Sequence, residues 1–167
     1  MAELTTQERL QPSLLDRLAD DEPHKAEESR EKRVISATRL RDCVSRDISW
    51  LLNCVWLEAS DDLGDFPEVR RSVVNFGIPD LTGVSLAGID AGALQRKVKE
   101  AILAFEPRLT ADTLQVLVDT NTTQMNRKSL MFRIESEMWA QPIPLNLYLK
   151  TEVDLETGKF KVSESLG

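Results

Sequence analysis

"LNLYLKTEVDLETGKFKV", Leu145 to Val162, is the stretch that decides the fold. Leu145, Leu147, Leu149, Thr151, Val153 and Leu155 alternate with Asn146, Tyr148, Lys150, Glu152 and Asp154. That period of two belongs to a strand with one covered face. The turn "ETGK" then returns the chain through Phe160 and Val162, set against Lys159 and Lys161, as a closing hairpin.

The same period appears upstream. Leu130, Phe132 and Ile134 alternate with Met131, Arg133 and Glu135, and Leu114, Val116 and Val118 with Gln115, Leu117 and Asp119. Three or four such strands predict an antiparallel sheet that is apolar on one face. Its cover must come from the residues before Thr113, where the period is helical. Asp90 is placed to cap a helix whose buried face is Leu94, Val98, Ile102 and Phe105, with Arg96, Lys97 and Lys99 outside it. Ser36 is placed to cap a longer helix, predicted to run to about Leu57. Its stripe is Leu40, Val44, Ile48, Leu51 and Val55, widened by Trp50 and Trp56, while Arg39, Arg41, Arg46 and Asp47 take other angles. The expected fold class is α+β: N-terminal helices packed on one face of a three- to four-stranded antiparallel sheet that ends in a C-terminal hairpin.

Between the two helices lies a turn-rich stretch, "ASDDLGDF" followed by "PEVRRSVVNFGIPDLTG". Pro67 suits the first turn of a short helix, and Gly77 a positive φ. The segment Phe66 to Gly83 admits two readings. It is a second contact surface, or a connection that packs Val69, Val73 and Phe76 on the core.

Before the first long helix, "PSLLDRLA" (Pro12 to Ala19) is a short apolar knot, long enough for two helical turns. The polar run "DDEPHKAEESREKR" follows it, with the single histidine, His24, inside. The organisation expected is a docking helix and polar tether over residues 1–33, then a single domain over residues 34–167.

The 167 residues carry 21 bases against 28 acids, a net charge of −7 that argues against nucleic-acid or anionic-membrane binding. No apolar run approaches the roughly 18 residues of a membrane span. The opening "MAELTTQERL" lacks an export signal, so a cytoplasmic protein is expected. Cys43 and Cys54 fall on one predicted helix, where eleven residues at ~1.5 Å rise keep them about 16 Å apart, outside disulfide reach. Reduced, buried thiols are expected.

The helical and alternating halves meet at "FEPRL", Phe105 to Leu109. Pro107 disfavours helix at Glu106 and so ends the second long helix there. Glu106 then faces the negative end of the helix dipole, at a cost of ~0.3–1 kcal/mol, and a solvent-exposed pair with Arg108 would recover only about as much. A desolvated Glu106–Arg108 pair with Pro107 fixing its geometry would justify the arrangement. No catalytic constellation accompanies it. Glycoside hydrolysis needs a second carboxylate ~5–9.5 Å from the first, and none has a sequence spacing that ties it to Glu106. A catalytic triad, a glycine-rich phosphate loop and a metal-ligand cluster are all missing from the sequence.

Four pieces together resemble a known family: "RDISWLLN" (Arg46–Asn53), "FPEVRRSVVNFGIPDLTG" (Phe66–Gly83), "FEPRL" and "VDLETGKFKV" (Val153–Val162). They stand in the order and spacing of TssE, the type VI secretion baseplate subunit related to a phage baseplate wedge protein once catalogued as a lysozyme. The N-terminal "PSLLDRL" fits as well. In the second strand, members of that family often carry a small "EG"-like step where this chain reads "IESEMW". The resemblance implies a non-enzymatic structural subunit without cofactors or metals, at a baseplate docked on the inner membrane. It implies docking on the wedge subunits TssF and TssG, with TssK further out, and nucleation of the first sheath ring, whose extended arms add to a sheet edge. Glu106, Pro107 and Arg108 match the family's Glu-Pro-Arg triplet and are the expected partner-binding residues. The alternative is a lysozyme-like peptidoglycan hydrolase with Glu106 as general acid.

Overall fold

The computed structural model describes residues 13–18, 24, 36–83, 90–119, 129–139 and 144–165. The polar stretch 20–33, His24 apart, lies outside the described residues, and so do Pro12 and Ala19. Four helices precede four strands. They are α1 (Leu14–Leu18), α2 (Ala37–Leu52), α3 (Pro67–Arg70) and α4 (Ala91–Phe105), then β1 (Gln115–Asp119), β2 (Ser129–Met138), β3 (Leu145–Asp154) and β4 (Phe160–Glu164). The strands form one antiparallel sheet in chain order, β1-β2-β3-β4. No helix among the described residues is long and apolar enough to cross a membrane.

The expected faces are the observed ones. Val116, Leu130, Phe132, Ile134, Met138, Leu147, Leu149, Val153 and Phe160 are buried in the core, while Arg133, Asn146, Lys150 and Glu152 point outward. Thr151 is fully buried and donates from its hydroxyl to the Phe132 carbonyl at 3.2 Å, so its polar atom is satisfied inside the core. α2 lies over β3 and β4, α4 lies against β1, and the two helices touch. Their buried residues are Leu40, Cys43, Val44, Ile48, Leu51 and Leu52 from α2, with Leu94, Val98, Ala101 and Ile102 from α4. Each large apolar side chain buried here contributes ~1.5–3 kcal/mol. Both helices begin at the expected caps: Ser36 Oγ accepts from the Arg39 N–H at 3.1 Å, and Asp90 Oδ1 from the Ala93 N–H at 2.9 Å.

α2 stops at Leu52, short of the expected Leu57. Asn53 ends it by donating from Nδ2 to the Ser49 carbonyl at 2.8 Å. The same side chain holds the start of β4, since Oδ1 accepts from the Phe160 N–H at 3.0 Å and Nδ2 donates to the Phe160 carbonyl at 3.1 Å. After the cap, Val55 forms a parallel bridge with Ile78, so Val55 leaves the helical stripe and is 56% exposed. Cys54 falls outside the helix and is half-buried; Cys43 is buried, and both thiols are free.

Gly77 makes the bridge possible. It has the expected positive φ, 140°, but its purpose is close approach, because a Cβ there would lie 2.5 Å from the Cys54 carbonyl oxygen. The segment Phe66 to Gly83 is tied together by buried Asn75, whose Oδ1 accepts from the Glu58 N–H and whose Nδ2 donates to the Arg70 carbonyl, each at 3.0 Å. Phe76 packs as the core reading expects, edge-on to Phe105 with centroids 5.2 Å apart. Val69 is half-buried. Val73 is not a core residue: a 3₁₀ turn over Val73–Asn75 directs it outward, 80% exposed, with Val74 and Phe66 also exposed.

Candidate functional site

α4 ends at Phe105, and Glu106 is its C-cap, as the proline after it requires. The chain then turns onto the sheet. Leu109 bridges Met138, the Trp139 N–H donates to the Arg108 carbonyl at 2.7 Å, and the Thr110 N–H donates to the Glu137 carbonyl at 2.8 Å. The corner is therefore bonded to the end of β2 by backbone on both sides of Leu109. The "IESEMW" stretch is the strand end that carries it.

Glu106 is 4% exposed, a carboxylate taken almost wholly out of water. Arg108 meets it as a fork. Nε donates to Oε1 at 2.6 Å, Nη2 donates to Oε2 at 2.5 Å, and the Arg108 backbone N–H adds a third bond to Oε1 at 3.1 Å. This is the desolvated pair that the sequence called for, in the bidentate geometry that makes guanidinium–carboxylate bonds strong. Pro107 holds the two residues at the spacing that lets side chain and backbone engage together.

The sequence reading missed the third member. Asp47 Oδ2, from α2, accepts from the same Arg108 Nη2 at 2.6 Å. The side chains of Arg108 and Asp47 are 23% and 24% exposed, so both lie at the rim of the buried carboxylate. Burial opposes the charge on Arg108, but its bonds to Glu106 and Asp47 outweigh that and hold the guanidinium even more firmly protonated than usual. Arg108 Nη1 is buried without a hydrogen-bond acceptor among the described residues.

The contacts continue beyond Asp47. Its Oδ1 accepts from Arg46 Nε at 2.9 Å, and Arg46 Nη1 donates to Asp16 Oδ1 of α1 at 2.7 Å. Arg46 also lies over the Trp50 ring, 5.0 Å from its centroid. Burial pushes the Asp16 carboxyl up, but hydrogen bonds from Arg46, Ser13 and Cys43 and the charge of Arg46 overcome it and bring it down to about 2. Burial, and after it the Asp16 carboxylate, push the Cys43 thiol up, which keeps it protonated.

A general acid must hold a proton to give. Here both oxygens of Glu106 accept from Arg108. The second carboxylate that glycoside hydrolysis would need does stand nearby, as Asp47, but it faces the same guanidinium nitrogen. Among the described residues no group of three or more His, Cys, Asp or Glu side chains could hold a metal ion.

The family model of the baseplate wedge protein gp25 matches residues 38–143. The match starts in the first turn of α2 and takes in Asp47, the whole corner and β2, so every residue of the Glu106–Arg108–Asp47 cluster lies inside it. No curated protein and no solved structure matches the chain.

Proposed function

The chain belongs to the baseplate wedge protein gp25 family, and from that premise we propose that it is a structural subunit of a type VI secretion baseplate. Members of this family are baseplate structural proteins, which gives the chain a structural role among other baseplate components. In the finer reading it docks on wedge subunits of the TssF and TssG kind, with TssK further out, and offers the first sheath ring a surface on which to assemble. It does so on the cytoplasmic side of a baseplate docked at the inner membrane. The family match carries this reading, and the four motifs in register support its type VI form.

In this reading Glu106, Pro107 and Arg108 are the contact with the wedge. A corner bonded to β2 by backbone and closed by a buried fork is rigid before a partner arrives, which lowers the ordering cost of docking. The sheath's extended arm adds to an outer strand, β1 or β4, by backbone pairing. β3, alternating from Leu145 to Leu155, is paired on both sides, by β2 and β4, and has no edge to offer. Asn53 already occupies the N–H and carbonyl of Phe160, so an arm on β4 pairs beyond that residue.

The test is sheath assembly in cells that carry a fluorescent sheath subunit. Deletion of this chain abolishes extended sheaths and the wild-type chain restores them. Normal sheaths without the chain would overturn the reading. The competing activity, wall hydrolysis with Glu106 as general acid, predicts soluble fragments from purified peptidoglycan that vanish in Glu106→Gln; we expect no fragments from either protein.

A further inference from the structure

We infer that Asp47 and, through Arg46, Asp16 are positioning residues for Arg108, so that the amino-terminal helix is a working part of the corner. Five charges of alternating sign run in sequence: Asp16, Arg46, Asp47, Arg108 and Glu106. The links are separate. Asp47 accepts from Arg46 through Oδ1 and from Arg108 through Oδ2; Arg46 donates from Nε to Asp47 and from Nη1 to Asp16. Asp47 is therefore held from both sides, and its hold on Arg108 depends on where Arg46 lies.

Arg46 is placed by Asp47, by the Trp50 ring and, at its far end, by α1 through Asp16. Leu14 is 71% exposed and Leu18 74%, so apolar burial does little to keep this five-residue helix in place. The Asp16 side chain, by contrast, is 5% exposed, turned inward onto Arg46 and the Ser13 hydroxyl. The helix is seated by its acid rather than by its leucines. If Asp16 leaves, the fixed anion remaining to Arg46 among these contacts is Asp47, and Arg46 then competes with Arg108 for it. Charges within hydrogen-bond distance influence one another even at a part-exposed rim, where the Arg46 and Arg108 side chains are 35% and 23% exposed. Linkage makes the effect reciprocal. The bearing of the ladder on partner binding rests on reading this corner as a wedge contact; the ladder itself does not.

The experiment is nitrogen-15 NMR of arginine side chains in the full-length protein, comparing wild type, Asp16→Asn and Asp16→Glu. Asp16→Asn keeps the shape and removes the charge. We expect it to shift the Arg108 Nε–H signal and to speed its exchange with water about five-fold or more, with core methyl signals such as those of Ile134 unchanged. Asp16→Glu restores most of the protection. A merely local anchor would move the Arg46 signal and leave Arg108 untouched, and that result overturns the inference; so does a spectrum in which neither arginine responds. Capture of baseplate subunits by the same proteins separates the two readings. Should Arg108 respond to Asp16→Asn while that variant captures baseplate subunits as wild type does, the ladder stands and the wedge-contact reading falls.

Discussion

Glu106 depends on one guanidinium. Both of its oxygens are committed to Arg108, and at 4% exposure water cannot replace them. Arg108→Ala is therefore expected to lower stability by about 3 kcal/mol, the lower end for breaking a buried pair because Arg108 keeps some access to solvent. The paired change Glu106→Gln with Arg108→Met removes both charges together and leaves a neutral amide that still accepts from the residue 108 N–H, and is expected to recover part of that loss. Urea denaturation of the three proteins measures it. This also means that loss of function in Arg108→Ala alone is ambiguous, whereas the paired variant reports on docking. At the other end of the ladder, Asp16 titrates at about 2 in the folded chain against an ordinary 3.8. A depressed carboxyl contributes stability above its unfolded value, lost as pH falls through the folded one. The seating of α1 on Arg46, Ser13 and Cys43 should thus be intact above pH 3.8 and fail as pH drops toward about 2. Trp50 fluorescence should follow that loss, because Arg46 sits over its ring. A signal flat between those pH values in an otherwise folded protein would count against it.

Elements were legible in the sequence wherever periodicity met a cap. Ser36, Asp90 and Glu106 bound the two long helices where their residue types and Pro107 place them, and the alternation from Leu145 onward matches the buried face of β3. The end of α2 was not legible. Val55 continues the helical spacing, but Asn53 has a stronger use as a pin for Phe160, 107 residues away, and no local pattern announces so distant a partner. Asp47 escaped for the same reason: its contact with Arg108 spans 61 residues, and on the helix it reads as one more charge off the apolar stripe. Val73 has the composition of a core residue, but the 3₁₀ turn aims it at solvent. Two substitutions test these elements by thermal melting. Asn53→Ala should cost ~1–3 kcal/mol by leaving the Phe160 amide without its acceptor. Gly77→Ala should cost about as much or more, since positive φ and a Cβ 2.5 Å from the Cys54 oxygen act together. A melt unchanged in either variant would contradict the placement of that residue.

At the scale of the molecule, two helices cover one face of a four-stranded sheet, and the corner between them and the sheet is closed by buried charge. That construction leaves β1 and β4 as the outer strands of the sheet, with Asn53 bonded to the backbone of Phe160 on β4. The corner and the outer strands are separate features of the same small domain, and in the proposed reading the first would meet the wedge and the second the sheath. The helix–sheet order and the Glu106–Arg108 pair were readable beforehand because both are local. The ladder that joins α1 to the corner was not, because it is assembled from residues on three separate elements.

The most direct measurement is affinity capture of the tagged full-length chain from its native cells, wild type beside the paired Glu106→Gln and Arg108→Met variant, with bound proteins identified by mass spectrometry. Wild type should bring down wedge subunits of the TssF and TssG kind, and the variant, shown to be folded under the conditions of capture, should lose them. Equal capture by both proteins, or no baseplate subunit with either, would contradict the corner as the point of docking.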